Sequence, residues 1–261
     1  MAHIPLMSEQ DLEEGDLPTY EDTQNGKNNA EHYFPASKTV EHEAAVAQAH
    51  VTIRLGFLRK VFGILAFQFL ATFVFCFVLY LTPGVRGFVQ QQSWIVLLTA
   101  VASIGIFFAM FVHARNTPYN YFLLGAWTVL QALLVASVVT FFDVEVVIQA
   151  ILLTSIVVGS LFVYTLQTKR DFQQHYAIMY TVSCVFIGAI FLQILIMSPM
   201  FDFMISVAGA LFFSVYLVID VQFVMNHCSE EDYILACVMI YTDIIGLFLR
   251  ILEILNEINR N

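Results

Sequence analysis

Residues 233–255, YILACVMIYTDIIGLFLRILEIL, decide the fold of this chain. They are apolar and long enough to cross a bilayer, whose hydrocarbon core requires about 20 residues of helix. Asp243 nevertheless lies near the middle of this segment, and Asp220 lies in the preceding apolar segment, residues 203–225. Ionisable side chains are costly in the hydrocarbon region and normally face a protein partner or a wet cavity. The two acids are therefore the first candidates for a functional site.

The composition of the whole chain indicates a polytopic membrane protein. Its 261 residues are 59% hydrophobic and only 12% charged, which is far from the usual composition of a soluble domain. Apolar runs of membrane-spanning length recur, and we predict an all-α bundle of seven transmembrane helices. The predicted spans are residues 61–81, 94–112, 121–141, 146–166, 176–197, 203–225 and 233–255.

The negative charge belongs to the N-terminal tail. The formal net charge is −10, and residues 1–50 hold ten acids against two lysines, whereas the rest holds eleven acids and nine bases. Residues 1–45 are polar and acidic, which predicts a disordered tail, and residues 46–261 form the predicted membrane domain. A nucleic-acid partner would need clustered Lys and Arg, and none is expected.

The basic residues predict the orientation. Among the residues that precede the last helix, a cytosolic N-terminus would place six basic residues on the cytosolic side and only Arg86 on the far side. This bias agrees with the positive-inside rule. The six are Arg54, Arg59, Lys60, Arg115, Lys169 and Arg170. The side of the C-terminus stays open, because the seventh segment could cross fully or insert only halfway.

The acidic tail contains one short motif, Leu17-Pro18-Thr19-Tyr20. It resembles the Pro- and Tyr-containing peptides that WW domains of ubiquitin ligases bind in an extended, preformed conformation. Four residues make a weak match, and an unused stretch of unstructured tail is the alternative.

Asp220 and Asp243 are expected at similar depths. Asp220 lies about 7 Å from the end of its segment and Asp243 about 15 Å from the start of the next, at 1.5 Å per residue. If both face the bundle interior, the carboxyls meet, share one proton and titrate as a coupled pair. Once deprotonated, they would repel each other or bind a hard cation such as Ca²⁺. The alternative is that a separate local hydrogen bond neutralises each acid.

Other charged residues have simpler interpretations. Arg250 and Glu253 are three residues apart on one helix and are expected to pair. Glu231, in the loop before the last helix, and Asp202, in the preceding far-side connection, could concentrate cations at opposite mouths of a pore. Solvated loop ends are an equally good interpretation of both.

No catalytic motif appears, and we expect neither an enzyme nor a cofactor. The seven histidines and four cysteines show no metal-ligand spacing, and hydrolase and nucleotide-binding signatures are absent. An intramembrane aspartyl protease would also use one Asp from each of two adjacent helices. The local sequences Ile219-Asp220-Val221 and Thr242-Asp243-Ile244 differ from the Tyr-Asp and Gly-x-Gly-Asp motifs of those enzymes.

Five segments together carry a resemblance to a known family. They are VTIRLGFLRKVFGIL (51–65), VVTFFDVEVVIQAILLTS (138–155), VYTLQTKRDF (163–172), SEEDYILA (229–236) and YTDIIGLFLRILEIL (241–255). These segments resemble the transmembrane BAX-inhibitor-motif family, in particular its lifeguard and Golgi anti-apoptotic branch. The resemblance runs from about residue 46 to the end and leaves most of the acidic tail outside.

The resemblance implies a bundle in which six helices surround the last one. It also implies a pH-sensitive Ca²⁺ leak from the Golgi or endoplasmic reticulum, protection from apoptosis, a di-aspartyl pair at Asp220 and Asp243, and a latch at Arg115. Two positions depart from the family pattern. Val221 replaces the Thr of the usual Asp-Thr-Gln, and Gly246 replaces an Asn of the last helix.

We therefore expect a Ca²⁺ leak channel of intracellular membranes, gated by Asp220 and Asp243, with Ca²⁺ and H⁺ as its ions. One alternative is a non-transporting adaptor that acts on death-pathway membrane proteins, or on a ubiquitin ligase through the tail motif. Another is a proton/Ca²⁺ exchanger that uses the same acids.

Overall fold

The computed structural model describes residues 36–92, 94–113, 118–168, 176–229 and 232–260. It describes side chains from residue 53 onward, except those of residues 83, 85, 86, 95, 176 and 177. The described residues contain helices as their only regular structure. They are α1 (Ala36–Leu81), α2 (Pro83–Gln91), α3 (Trp94–His113), α4 (Tyr119–Val139), α5 (Val144–Gln167), α6 (Tyr176–Ile196), α7 (Pro199–Asn226) and α8 (Tyr233–Arg260).

Seven of these helices, all except the short α2, are long and apolar enough to cross a membrane. The predicted all-α fold with seven spans is therefore confirmed. The sequence did not indicate α2, which occupies the first connection and has Pro83 at its start. Proline suits the first turn of a helix because its fixed φ is already helical and its missing N–H would have no partner there.

The first helix is longer than its apolar run. It begins at Ala36 and so includes residues 36–45, which the composition assigned to a disordered tail. The rest of that tail lies outside the described residues. The contacts within the chain divide it into two units, which meet between Arg54 and Leu55. The sequence analysis had placed the domain boundary at residue 45. All seven apolar segments lie wholly or almost wholly in the second unit.

Within this second unit, α8 packs most extensively against α7 and also contacts α5 and α4. Half of its most apolar window is buried, compared with 6% for α6. Side chains of α8 contribute to both main apolar clusters, with Ile240 and Tyr241 in one and Leu247 and Leu252 in the other. That the last helix is the centre of a ring of six stays a prediction.

Candidate functional site

The structure brings Asp220 and Asp243 together. Asp220 lies on α7 and Asp243 on α8, each is 6% exposed, and the two carboxyl groups are hydrogen-bonded to each other. An ionised carboxylate can only accept hydrogen bonds, so a bond between two carboxyl groups requires a proton on at least one of them. One proton shared between the two carboxyl groups would meet this requirement.

The pair is not fully satisfied. Asp243 Oδ2 is buried and has no hydrogen-bond partner within the part of the chain that the structure describes. Leu217 and Val221, close to Asp220 along α7, and Ile240, three residues before Asp243 on α8, are apolar and each at most 1% exposed. A buried polar oxygen without a partner is costly, and a proton or a cation held by the pair would lower that cost.

The opposite face of α8 is held by an uncharged polar network. Tyr241 precedes Asp243 by two residues, a rotation of about 200° on a helix. Its hydroxyl lies 2.6 Å from Thr72 Oγ1 on α1, and Thr72 donates its own proton to the Gln68 carbonyl at 2.8 Å. Tyr241 is therefore the donor to Thr72. Gln68 Nε2 in turn donates to Thr128 Oγ1 on α4 at 2.9 Å.

Aromatic rings strengthen this attachment. The Tyr241 ring stacks on Phe69 with 5.1 Å between centroids, and Trp127 meets it edge-on at 5.3 Å. The sequence analysis did not single out this network. Its signal was the presence of Gln68, Thr72 and Thr128 inside apolar segments, where polar side chains commonly join helices.

Arg250 and Glu253 form the predicted pair, with 2.7 Å between Arg250 Nη1 and Glu253 Oε2. The same carboxylate oxygen accepts a hydrogen bond from Ser206 Oγ on α7 at 2.8 Å. The pair is thus also an interhelical contact between α7 and α8, which the spacing of Arg250 and Glu253 alone did not indicate.

The other predicted site residues are more peripheral or lie outside the described residues. Asp202 is exposed and lies in the first turn of α7, not in the connection before it as the sequence suggested. Glu231, Arg115 and the tail motif of Leu17, Pro18 and Tyr20 lie outside the described residues. Among the described residues, no group of three or more His, Cys, Asp or Glu could hold a metal ion.

An apolar cavity lies on a different side of α8. Its volume is about 520 Å³, and it is lined by residues of α1, α4, α5 and α8, among them Phe69, Thr154 and Phe248. Neither Asp220 nor Asp243 lines it. The acid pair therefore lies in a helix–helix seam and not in this cavity.

Comparison with known proteins decides the family. A family model described as inhibitor of apoptosis-promoting Bax1 matches residues 54–261. The chain belongs to this family. It is a multi-pass membrane protein of the anti-apoptotic BAX-inhibitor-motif group, and the matched region contains every helix from α2 to α8.

Three relatives, from an animal, a virus and a yeast, show the extent of the similarity. The chain is 37% identical over 217 residues to Protein lifeguard 4 of Mus musculus, covering 83% of this chain and 91% of the relative. It is 38% identical to the Golgi anti-apoptotic protein of vaccinia virus (strain Lister), covering 83% and 92%. It is 31% identical to Bax inhibitor 1 of Schizosaccharomyces pombe over 232 residues, covering 87% and 86%.

Proposed function

We propose that this protein inhibits apoptosis by letting Ca²⁺ leak from an intracellular store, and that Asp220 and Asp243 gate the leak by sharing a proton. The observation that carries the proposal is the contact between two buried carboxyl groups on neighbouring helices. A lower store content would leave less Ca²⁺ for death signals.

The gate works through the charge of the pair. With a proton between them, the carboxyls attract each other and hold α7 against α8. When that proton leaves, two negative charges face each other where the effective dielectric constant is low, and their repulsion separates the helices. The freed oxygens are ligands that Ca²⁺ prefers. The leak should therefore be small at low pH and increase as pH rises.

The names of relatives support an intracellular location. One relative is named a Golgi anti-apoptotic protein, and we assign this chain to the Golgi or endoplasmic reticulum with its N-terminus in the cytosol. The positive-inside distribution of basic residues supports that orientation.

Asp243→Asn tests the gate. The Asn amide is neutral at every pH, so the pair loses its shared proton, and Ca²⁺ flux should lose most of its pH dependence. The measurement is Ca²⁺ entry into dye-loaded proteoliposomes of the purified chain across a series of pH values. Asp220→Asn should behave in the same way.

Asp143→Asn is the matched control, because it makes the same chemical change at an exposed position. Asp143 is the N-cap of α5 and makes no side-chain capping hydrogen bond, and Asn caps helices about as well as Asp. This variant should keep the flux and pH profile of the wild type. A wild-type pH profile in Asp243→Asn would contradict the gate.

The same vesicles separate a leak from an exchanger that uses the same acids. In a leak, Ca²⁺ flows only down its own gradient, whatever the proton gradient. If an imposed proton gradient drives Ca²⁺ uphill, the exchanger is the correct assignment.

Deleting residues 1–45 separates the leak from a non-transporting adaptor. The tail motif at Leu17, Pro18 and Tyr20 would be the contact with a WW-domain ubiquitin ligase, and helix faces would contact death-pathway membrane proteins. A leak should survive the deletion together with the protection it provides. An adaptor that depends on its tail should lose its protection from apoptosis.

A further inference from the structure

The contacts between α7 and α8 follow one antiparallel register. Ser206 contacts Glu253, Gly209 lies against Arg250, and Phe213 lies against Gly246, so residue numbers rise on α8 as they fall on α7. Asp220 and Asp243 continue the series toward the connection between the helices. Ser206, Phe213 and Asp220 are seven residues apart, which places them on one face of α7.

We call this α7–α8 contact the seam, and its contacts form three successive levels along the helix axes. The acid pair is at one end, and the cluster of Ser206, Arg250 and Glu253 is at the other. Glu253 follows Asp243 by ten residues, which is about 15 Å along a helix. Residues 244–249, IIGLFL, are all apolar or glycine. A cation moving between the two carboxylate sites would therefore have to cross an apolar level.

Phe213 and Gly246 form that middle level. A Cβ atom on Gly246 would be only 2.5 Å from Phe213 Cε1 and 2.6 Å from Cζ, so the ring lies directly against the backbone of α8. Any side chain at position 246 would force the ring to move. On α8, Gly246 is three residues from Asp243, so the aromatic ring closes the seam within about one helical turn of the acids.

Neighbouring aromatic rings hold Phe213 in this position. Phe212 and Phe186 meet it at nearly right angles, with centroids 5.3 and 6.4 Å away. Arg250 lies over the Phe186 ring at 5.8 Å while it pairs with Glu253. Phe186 of α6 therefore contacts both Phe213, in the apolar middle of the seam, and Arg250, at its charged end.

We propose that Phe213 is the apolar constriction of an ion path along the α7–α8 seam, between the Asp220/Asp243 pair and Glu253. The proposal rests on the leak function above and adds its route and a residue that limits it. Apolar constrictions block ions because water does not fill them. With the ring against Gly246, the path is closed, and it opens when the ring moves aside as the two helices separate.

Phe213→Ala is the direct test. Removing the ring opens the apolar level, so Ca²⁺ flux at the pH where the wild type leaks least should increase about tenfold, which corresponds to about 1.4 kcal/mol of barrier. Phe213→Leu, which keeps most of the apolar volume, should stay near the wild-type flux. The probe is Ca²⁺ itself, in the dye-loaded proteoliposomes already described.

Phe212→Ala is the matched control. Phe212 is the adjacent ring and packs on Phe186 and Tyr216, whereas the three atoms nearest to a Cβ placed on Gly246 all belong to Phe213. The flux of Phe212→Ala should increase much less than that of Phe213→Ala, because the variant loses a ring that supports Phe213 but keeps the ring that lies against Gly246. An equal increase in Phe212→Ala and Phe213→Ala would mean general loosening of the bundle and would overturn the proposal, as would an unchanged flux in Phe213→Ala.

The experiment must distinguish a variant that fails to fold from a protein that does not conduct Ca²⁺. If Phe213→Ala does not purify as a single species in detergent, Phe213→Val provides the test, with a smaller increase expected and no increase contradicting the proposal. If the wild type leaks and Asp243→Asn alters the pH profile but position 213 has no effect, only the constriction is wrong. If the wild type does not leak at any pH, the proposed function and the constriction fail together.

Discussion

At the scale of single residues, α8 presents two polar groups with opposite roles. Tyr241 has its hydroxyl satisfied by Thr72 and its ring packed between Phe69 and Trp127. Asp243 keeps a buried oxygen without a partner in the described part of the chain. The hydrogen bond and ring contacts of Tyr241 hold α8 in one arrangement, and Asp243 is the residue of this helix for which we propose a role in gating.

Tyr241→Phe should destabilise the fold without changing the gate. The ring contacts remain, but the hydrogen bond to Thr72 is lost, and interhelical hydrogen bonds in membranes contribute about 0.6 kcal/mol on average. The Tm in detergent should fall by about 1–2 °C, while the pH profile of Ca²⁺ flux stays as in the wild type. Tyr164→Phe, at a half-exposed site on α5, should leave the Tm unchanged. A shifted pH profile in Tyr241→Phe would show that the two faces of α8 are coupled.

At the scale of helices, a glycine allows α6, α7 and α8 to meet closely. A Cβ atom on Gly209 would lie 2.9 Å from Phe186 Cζ and 3.0 Å from Arg250 Cδ. Only a residue without a side chain leaves room at this level for both the aromatic ring and the stem of Arg250. The charged cluster at the far end of the seam depends on this space, because Arg250 reaches Glu253 from there.

Gly209→Leu should therefore lower stability. Overpacking a tight contact costs about 1–3 kcal/mol, and the displaced Arg250 should also lose its pairing with Glu253. Thermal unfolding in detergent measures the effect. Gly188→Leu on α6 is the control, because no heavy atom lies within 4 Å of a Cβ placed there. Equal Tm values for the two variants would contradict this account of the seam.

The sequence predicted the positions of the helices better than it predicted the contacts between them. Apolar length predicted seven spans, and the described residues contain seven helices long and apolar enough to cross a membrane. The first helix nevertheless extends back to Ala36, and α2 occupies the connection between the first two predicted spans. Both differences arise where the chain leaves the apolar runs, because polar residues there are compatible with either helix or loop.

At the scale of the whole molecule, the distribution of basic residues predicts the orientation. In the predicted topology, six of the seven basic residues considered above would lie on the side of the N-terminus, with Arg86 as the exception, and such a bias sets topology in membranes. α8 has 28 residues, about 42 Å at 1.5 Å per residue, which exceeds the hydrocarbon thickness of about 30 Å. Seven full crossings would place the two termini on opposite sides.

Epitope tags at the two ends test this topology. In cells whose plasma membrane alone is permeabilised, an N-terminal tag should be accessible to protease or antibody, and a C-terminal tag should be protected until intracellular membranes are dissolved. A lumenal protein and a cytosolic protein serve as the two controls. Exposure of both tags at the first step would mean that α8 does not cross fully.

The sequence by itself determined that this is a helical membrane protein, how many spans it has, and that two acids lie in the last two of them. These are local properties, because the length of an apolar run and the cost of a charge within it do not depend on distant residues. The tertiary structure decided that the carboxyls of Asp220 and Asp243 meet, that Ser206 joins the pair of Arg250 and Glu253, and that Phe213 closes on Gly246. Those contacts depend on how each helix is rotated and how far it slides along its neighbour, and packing of the whole bundle sets both.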